Sequence, residues 1–234
     1  MNSNTKSEPN SENVRLSRFL SKAGLCSRRK AKEFLEHNKV FADGIQLKEP
    51  GQSISVHSSL IINGKSYKWR QIREVYLFNK PEGYVCSHKS HKSQPSIFSL
   101  LPEELNKLYF AGRLDQASCG LMVLSNDGDL IFELTHPSKK TEKKYFIHAS
   151  RPISEAEINK MLKGVFDKNE KLKFDRIVPL SKPAHYEITM HTGKNREIRR
   201  VLGKFNIRPL KLKRLQLGAY KLKSLPEGKY RKIE

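Results

Sequence analysis

Between Gly112 and Asp129 the chain reads GRLDQASCGLMVLSNDGD. The run Leu121 to Leu124 is apolar without alternation, which predicts a short strand buried on both faces. Asn126, Asp127 and Gly128 then turn the chain into a helix from about Asp129 to Leu134, ended by His136-Pro137. Ahead of the strand lies a loop bracketed by Gly112 and Gly120 that holds one carboxylate, Asp115. Leu108 to Ala111 reads as a short strand delivering the chain to Gly112. Asp115 is therefore expected on a connection between two core elements, rigidly supported yet open to solvent.

The surroundings of that acid are strongly basic. Lys and Arg outnumber Asp and Glu by 45 to 24, for a net charge of +21 over 234 residues. Such a surplus points to a nucleic acid, whose phosphates dominate affinity through counterion release. No apolar run approaches the ~20 residues of a membrane span, and there is neither a lipidation motif nor a strongly amphipathic basic helix. A membrane partner is not expected. A lone acid in so much positive charge suggests a reactive group beside a polyanion.

Cys26, Cys86 and Cys119 are odd in number and widely spaced, with no CxxC pair. That pattern argues for a reducing compartment and against a disulfide framework or a thiolate zinc site. The start, MNSNTKSEPNSEN, lacks the basic and apolar regions of a secretory signal and reads as a disordered tail, residues 1–13.

Residues 14–56 read as a small helix–helix–hairpin unit. Val14, Leu16, Phe19, Leu20 and Ala23 recur at helical spacing, Gly24 stops the helix, and Ser27 is placed to cap a second helix running to about His37. VFADGIQL, with Asp43-Gly44 between two apolar runs, predicts a hairpin, and SISV predicts a closing strand. Arg15, Arg18, Lys22, Arg28, Arg29, Lys30 and Lys32 crowd the two helices and suggest a phosphate-tracking surface rather than a merely solvated face. The stretch RLSRFLSKAGLCSRRKAKEFLEHNKVFADG resembles the S4-like, or alpha-L, RNA-binding domain. That resemblance implies RNA binding and no chemistry.

Residues 57–73 mix Ser, Asn-Gly and basic residues and read as a linker, with at most an edge strand near Leu60 to Ile62. A second unit, residues 74–234, opens with a strand from Val75 to Phe78. The strand is broken by Lys80-Pro81 and Gly83 and followed by an extended stretch from Tyr84 to Cys86. His88 and His91 sit in a Lys- and Ser-rich loop with no third ligand nearby. The loop is expected to be a solvated, RNA-facing segment rather than a metal site, so chelators should leave activity intact. Cys119 has no neighbouring His base and is expected to be a small packed side chain.

The ordered motifs KPEGYVCS, GRLDQASCG, EKKY, TGKNREIRR and LPEGKYRKI resemble those of the pseudouridine synthases of the RsuA and RluB, RluE, RluF group, which modify ribosomal RNA. The resemblance implies an α+β protein in which the S4-like domain is followed by a mixed, mostly antiparallel sheet divided by a cleft. It implies that Asp115 is the catalytic group, that Arg199 pairs with it, and that the Tyr145 ring stacks on the target base. Arg113 is expected to hold RNA in a flipped-base geometry, and Ile198 to line the pocket floor. Lys194, Arg196 and Arg200 are expected phosphate contacts. KPEGYVCS leans toward the small-subunit type and SRRKA toward the large-subunit types, and both stay open.

The chemistry accounts for these residue types. Converting uridine to its carbon-linked isomer breaks the bond from base nitrogen to ribose, rotates the base and rejoins it through carbon, with no redox change. No cofactor or metal is expected. An ionised carboxylate can serve as nucleophile on ring or sugar, or as base. In a water-poor cleft it needs a cation beside it. Residues 190–234 provide fourteen basic and three acidic side chains. The target must be extruded into the pocket and stacked on an aromatic face. The expected partner is ribosomal RNA, free or within a pre-ribosomal subunit, and the expected protein is a cytoplasmic monomer. A non-catalytic ribosome-assembly protein with the same basic surface would have a broken site, whereas Asp115, Tyr145 and Arg199 are all present. A metal-dependent nuclease would need clustered carboxylates, and the acids here are scattered.

Overall fold

Alternating apolar residues and two turn dipeptides shape the first of two units, which meet in sequence at Ile72 and Arg73. The computed structural model describes residues 13–69, 73–88 and 94–233. The expected tail thus lies outside the described residues except for Asn13, which opens strand β1 (Asn13–Arg15). Helix α1 (Leu16–Lys22) buries Leu16, Phe19 and Leu20, and Gly24 leaves it at φ +73°. Val14, expected in the helix, instead lies in β1, which pairs with β4 (Ser53–Ser55). Ser27 does precede a helical turn, Arg28–Lys30, but its side chain makes no cap bond; α2 (Ala31–His37) follows.

Strands β2 (Val40–Ala42) and β3 (Ile45–Leu47) form the expected hairpin around Asp43-Gly44, both at positive φ. The stretch expected to be a linker is a correction. It carries β5 (Ser59–Ile62) and β6 (Lys65–Lys68), which complete a four-stranded sheet ordered β3-β2-β5-β6. Leu60 and Ile62 point into the core while Ile61 is exposed, and Asn63-Gly64 makes the turn at positive φ. The same signal that marks the first hairpin marks the second.

The second unit is built on one nine-stranded sheet. Its strands are β7 (Val75–Lys80), β8 (Tyr109–Phe110), β9 (Cys119–Ser125), β10 (Lys143–Ala149), β13 (Arg176–Pro179), β14 (His185–Met190), β15 (Pro209–Leu217), β16 (Tyr220–Lys221) and β17 (Tyr230–Lys232). A separate hairpin is formed by β11 (Val165–Asp167) and β12 (Glu170–Leu172). Helices α3 (Gly128–Thr135), α4 (Glu155–Lys163) and α5 (Glu197–Gly203) complete it. The order is β13-β14-β10-β15-β9-β7-β17, with β16 on β15 and β8 on β9. Every pairing is antiparallel except β15 with β9, so the sheet is mixed and mostly antiparallel, as expected.

All seven residues of β9 are buried. Leu121 and Val123 join the apolar cluster on one face, Met122 and Leu124 the larger cluster on the other, which explains the unalternating run. Each such side chain contributes roughly 1.5–3 kcal/mol. The parallel ladder between β9 and β15 is short, pairing Cys119 with Lys213 and Gly120 with Arg214. The backbones crowd there: a Cβ on Gly120, whose φ is +105°, would lie 2.4 Å from the Arg214 carbonyl oxygen. Only glycine fits.

Gly112 offers the contrast, because its φ is +69° but a Cβ would meet nothing nearer than 3.5 Å. Gly112→Ala is expected to cost about 1–2 kcal/mol, the left-handed backbone penalty alone. Gly120→Ala is expected to cost more than about 3 kcal/mol, because β9 and β15 must part. Urea unfolding of the two variants measures the difference, and equal losses would refute this view of the seam.

Candidate active site

Asp115 is carried by the loop that joins β8 to β9, and three elements fix that loop. Lys80, at the end of β7, is fully buried and donates from Nζ to the carbonyls of Ser118 (2.6 Å), Pro81 (3.0 Å), Asp115 (3.2 Å) and Gln116 (3.4 Å). The Gly83 amide donates to Gln116 O (2.9 Å), and the Gln116 side-chain amide donates to Gly83 O (3.0 Å). Cys86 Sγ accepts from the Leu114 amide at 3.4 Å. Burial pulls the Lys80 ammonium below its ordinary pKa. Carbonyl oxygens are the partners available to it, and they hold the loop backbone in place.

Helix α5 brings the cations. Arg196 precedes it with left-handed backbone (φ +48°), and the buried Glu197 side chain accepts from Thr192 Oγ1 (2.9 Å) and the Lys194 amide (2.8 Å), tying down the approach. Arg199 Nη2 donates to Ala117 O (2.6 Å) and Ser118 Oγ (3.1 Å). Its Nε stands 3.5 Å from Asp115 Oδ2, an ion-pair distance without hydrogen-bond alignment. Arg196 Nη1 is 3.4 Å from the same oxygen. Burial lowers the Arg199 guanidinium pKa, and Asp115 opposes that shift. Asp115 keeps 28% of its side chain exposed, so its carboxylate can be reached.

These groups line a pocket of about 80 Å³ with Arg113, Leu114, Tyr145, Met190, Lys194 and Ile198. Tyr145 is in β10, paired with Ile188 of β14 and with Arg214 of β15, and is 8% exposed. Burial raises its phenol pKa, with Arg214 acting in the opposite sense. Asp115, Tyr145 and Arg199 are thus brought together, with Arg113, Lys194, Arg196 and Ile198 around them.

Other expectations need correction. Arg200 is not a free phosphate contact: its Nε donates to Asp167 (2.6 Å) and its Nη1 to Glu170 (2.7 Å), both on the β11–β12 hairpin, so its charge is already matched. Arg196 faces the Asp115 loop as well as solvent. Lys194 donates to Lys171 O (3.1 Å). His88 stacks on Phe98 at 4.3 Å and contacts Leu108 O at 3.1 Å, so its ring packs on the fold rather than standing in a solvated loop; His91 lies outside the described residues. Cys119 is buried and its Sγ contacts Leu212 O at 3.7 Å. No cluster of three His, Cys, Asp or Glu side chains suited to a metal occurs among the described residues.

In the first unit, Arg15, Arg28, Arg29 and Lys30 are exposed. Arg18 instead lies 5.7 Å over the Trp69 ring. Two buried cations went unforeseen, Lys80 and Arg214. Arg214 is 2% exposed and donates from Nε to Leu121 O (2.7 Å). Lys80 is the first residue of KPEGYVCS, and that adjacency was the available sign; nothing in one strand of alternating Lys and Leu singles out Arg214.

Residues 74–204 match the RNA pseudouridylate synthase family, and residues 14–58 match the S4 domain. An uncharacterised RNA pseudouridine synthase of Rickettsia prowazekii is 31% identical over 223 residues, 94% of this chain and 94% of its own. The ribosomal large subunit pseudouridine synthase B of Haemophilus influenzae is 30% identical over 241 residues, 97% of this chain and 66% of that one. A crystal structure of a pseudouridylate synthase aligns with a TM-score of 0.66 at 25% identity, over 94% of this chain and 96% of that one. With its matched segment spanning more than half the sequence and containing Asp115, Tyr145 and Arg199, the chain belongs to the RNA pseudouridylate synthase family and is an RNA pseudouridine synthase with an N-terminal S4 domain.

Proposed function

We propose that this enzyme converts one uridine of ribosomal RNA to pseudouridine, with Asp115 as the catalytic carboxylate. The observation that carries the reading is the pocket in which Asp115 faces Arg196 and Arg199 within 3.5 Å while Tyr145 lines the same space. The names of the Haemophilus influenzae and Pasteurella multocida relatives, both large-subunit pseudouridine synthases, support ribosomal RNA as the substrate. The base-to-ribose C–N bond breaks, the base turns, and a C–C bond forms to the same sugar carbon. One proton leaves the ring carbon and one is gained at the ring nitrogen, so the product is an isomer and no oxidant is consumed.

Asp115 acts as nucleophile or as base in this scheme, and the two guanidinium groups hold it in place. The extruded base lies against Tyr145, an interaction worth about 1–3 kcal/mol. Arg113 and Lys194 take the backbone beside it. Arg15, Arg28, Arg29 and Lys30 add affinity from the S4 domain by neutralising phosphates elsewhere on the RNA. The protein works as a monomer in the cytoplasm, on free ribosomal RNA or on a pre-ribosomal subunit. Free Cys26, Cys86 and Cys119 are consistent with a reducing compartment. No helix among the described residues is long and apolar enough to cross a membrane.

Asp115→Asn is expected to lower product formation by roughly 10³-fold or more while RNA binding survives. Pseudouridine mapping of ribosomal RNA from cells lacking the protein, complemented with either form, tests this together with the substrate assignment. Turnover by the Asn variant, or an unchanged map, refutes the reading. Removing the charges of Arg28 and Arg29 together is expected to weaken RNA binding and to flatten its log–log salt slope by about 1.5. Affinity titrations from low to moderate salt measure that slope, and an unaltered value would show that these arginines do not meet phosphate.

A further inference from the structure

Beside the Asp115 pocket lies a second and larger cavity, of about 650 Å³. The two share Arg113, Tyr145, Gly193 and Lys194 in their walls, so they adjoin across the Tyr145 position. Its volume is in the range of small-ligand sites. Leu134, Pro137 and Leu217 give it an apolar part; six cations, Arg113, Lys140, Lys143, Lys173, Lys194 and Arg214, also line it, against one carboxylate, Asp175.

The charge balance of this cavity is unusual. Arg214 is 2% exposed; it donates to the Leu121 and Ala111 carbonyls and Met122 Sδ, and it meets the Tyr145 side chain. No carboxylate lies within ion-pair distance of it among the described residues. Lys143, which also lines the cavity, donates among the described residues to the carbonyls of Thr141 (3.0 Å) and His191 (3.2 Å). Burial, and then Arg214, lower its pKa. Asp175, the carboxylate that lines the cavity, is already engaged by the His191 amide (2.9 Å), His191 Nδ1 (2.8 Å) and Lys173 (3.3 Å). Buried charges are ordinarily paired, and the buried Arg214, with the half-buried Lys143 beside it, leaves a deficit of negative charge that faces an open space. Apolar and cationic side chains around one space match the two chemistries of a nucleotide, a flat base and a phosphodiester.

We propose that this cavity receives the nucleotide covalently next to the target uridine, with its base against Leu134 and Leu217 and its phosphodiester beside Arg214, Lys143 and Lys194. The enzyme then holds two extruded neighbours, one on each side of Tyr145, and the second confers sequence preference. The inference rests on the reading of the Asp115 pocket as the uridine site.

The test uses the full chain with labelled Leu methyl groups, titrated with uridine 5′-monophosphate and with the dinucleoside monophosphates UpA and ApU. One of the two dinucleotides is expected to bind at least about fivefold more tightly than the mononucleotide, the gain of one added base contact, and to shift the methyl signals of Leu134 and Leu217. The arm that does so tells which neighbour is held. Thr135 also lines the cavity and makes no contact with the Asp115 pocket. Thr135→Phe, which fills the space, is expected to erase the gain and leave mononucleotide affinity unchanged, the latter also showing that the variant is folded. Equal affinity for all three probes, unmoved Leu134 and Leu217 signals, or a gain that survives in Thr135→Phe overturns the proposal. Dinucleotide shifts at Leu134 and Leu217 with no mononucleotide response near Asp115 would support this cavity and count against the uridine pocket.

Discussion

The buried ammonium of Lys80 is the interaction on which the rest of the site depends. A lysine has three donors and no acceptor, and sealing it from water without a carboxylate demands carbonyl oxygens in its place. The carbonyls it finds belong to Pro81, Asp115, Gln116 and Ser118, so one side chain from β7 determines the path of the loop that carries the acid. The Gly83–Gln116 bonds lock the same loop from the turn behind β7. A loop fixed at its backbone leaves its carboxylate free to face outward.

That fixed loop then serves as the docking point for α5. Arg199 reads its backbone at Ala117 and the Ser118 hydroxyl, which sets the guanidinium at ion-pair distance from Asp115. Loop, helix and sheet meet where β9 and β15 run parallel for two residue pairs, and Gly120 allows that approach. Arg214, the partner of Gly120 in that ladder, is also the partner of Tyr145 across β10 and β15, and it lines the second cavity. Acid, aromatic ring and buried cations are therefore consequences of one seam in the sheet. The cations outnumber the carboxylates that face them, and a polyanionic substrate completes the balance.

Much of this was legible in the residues. The LMVL run announced a doubly buried strand, Asp43-Gly44 a hairpin, and Asn126 to Gly128 a helix start, because each depends on neighbours in sequence. Residues 57–73 read as a linker with an edge strand near Leu60 to Ile62, although Asn63-Gly64 carries the same turn chemistry as Asp43-Gly44; the strand is there but is paired on both sides, and the polar and basic residues of β6 masked its partner. Arg200 looked like a phosphate contact because its partners Asp167 and Glu170 lie about thirty residues away on a hairpin that local pattern does not connect to α5. His88 looked solvated for the same reason, its stacking partner Phe98 being reached only through the fold.

Sequence alone determined the division into a small basic unit and a larger one, the buried central strand, the glycine-bracketed acid and the excess of positive charge, since these follow from local spacing and composition. Its motifs also carried the resemblance to the pseudouridine synthases. Only the tertiary structure decided which cations meet the acid, which are neutralised by distant carboxylates, and which are left buried and unmatched around a cavity. Those outcomes depend on contacts between residues far apart in the chain, where burial and distance determine what a charge does.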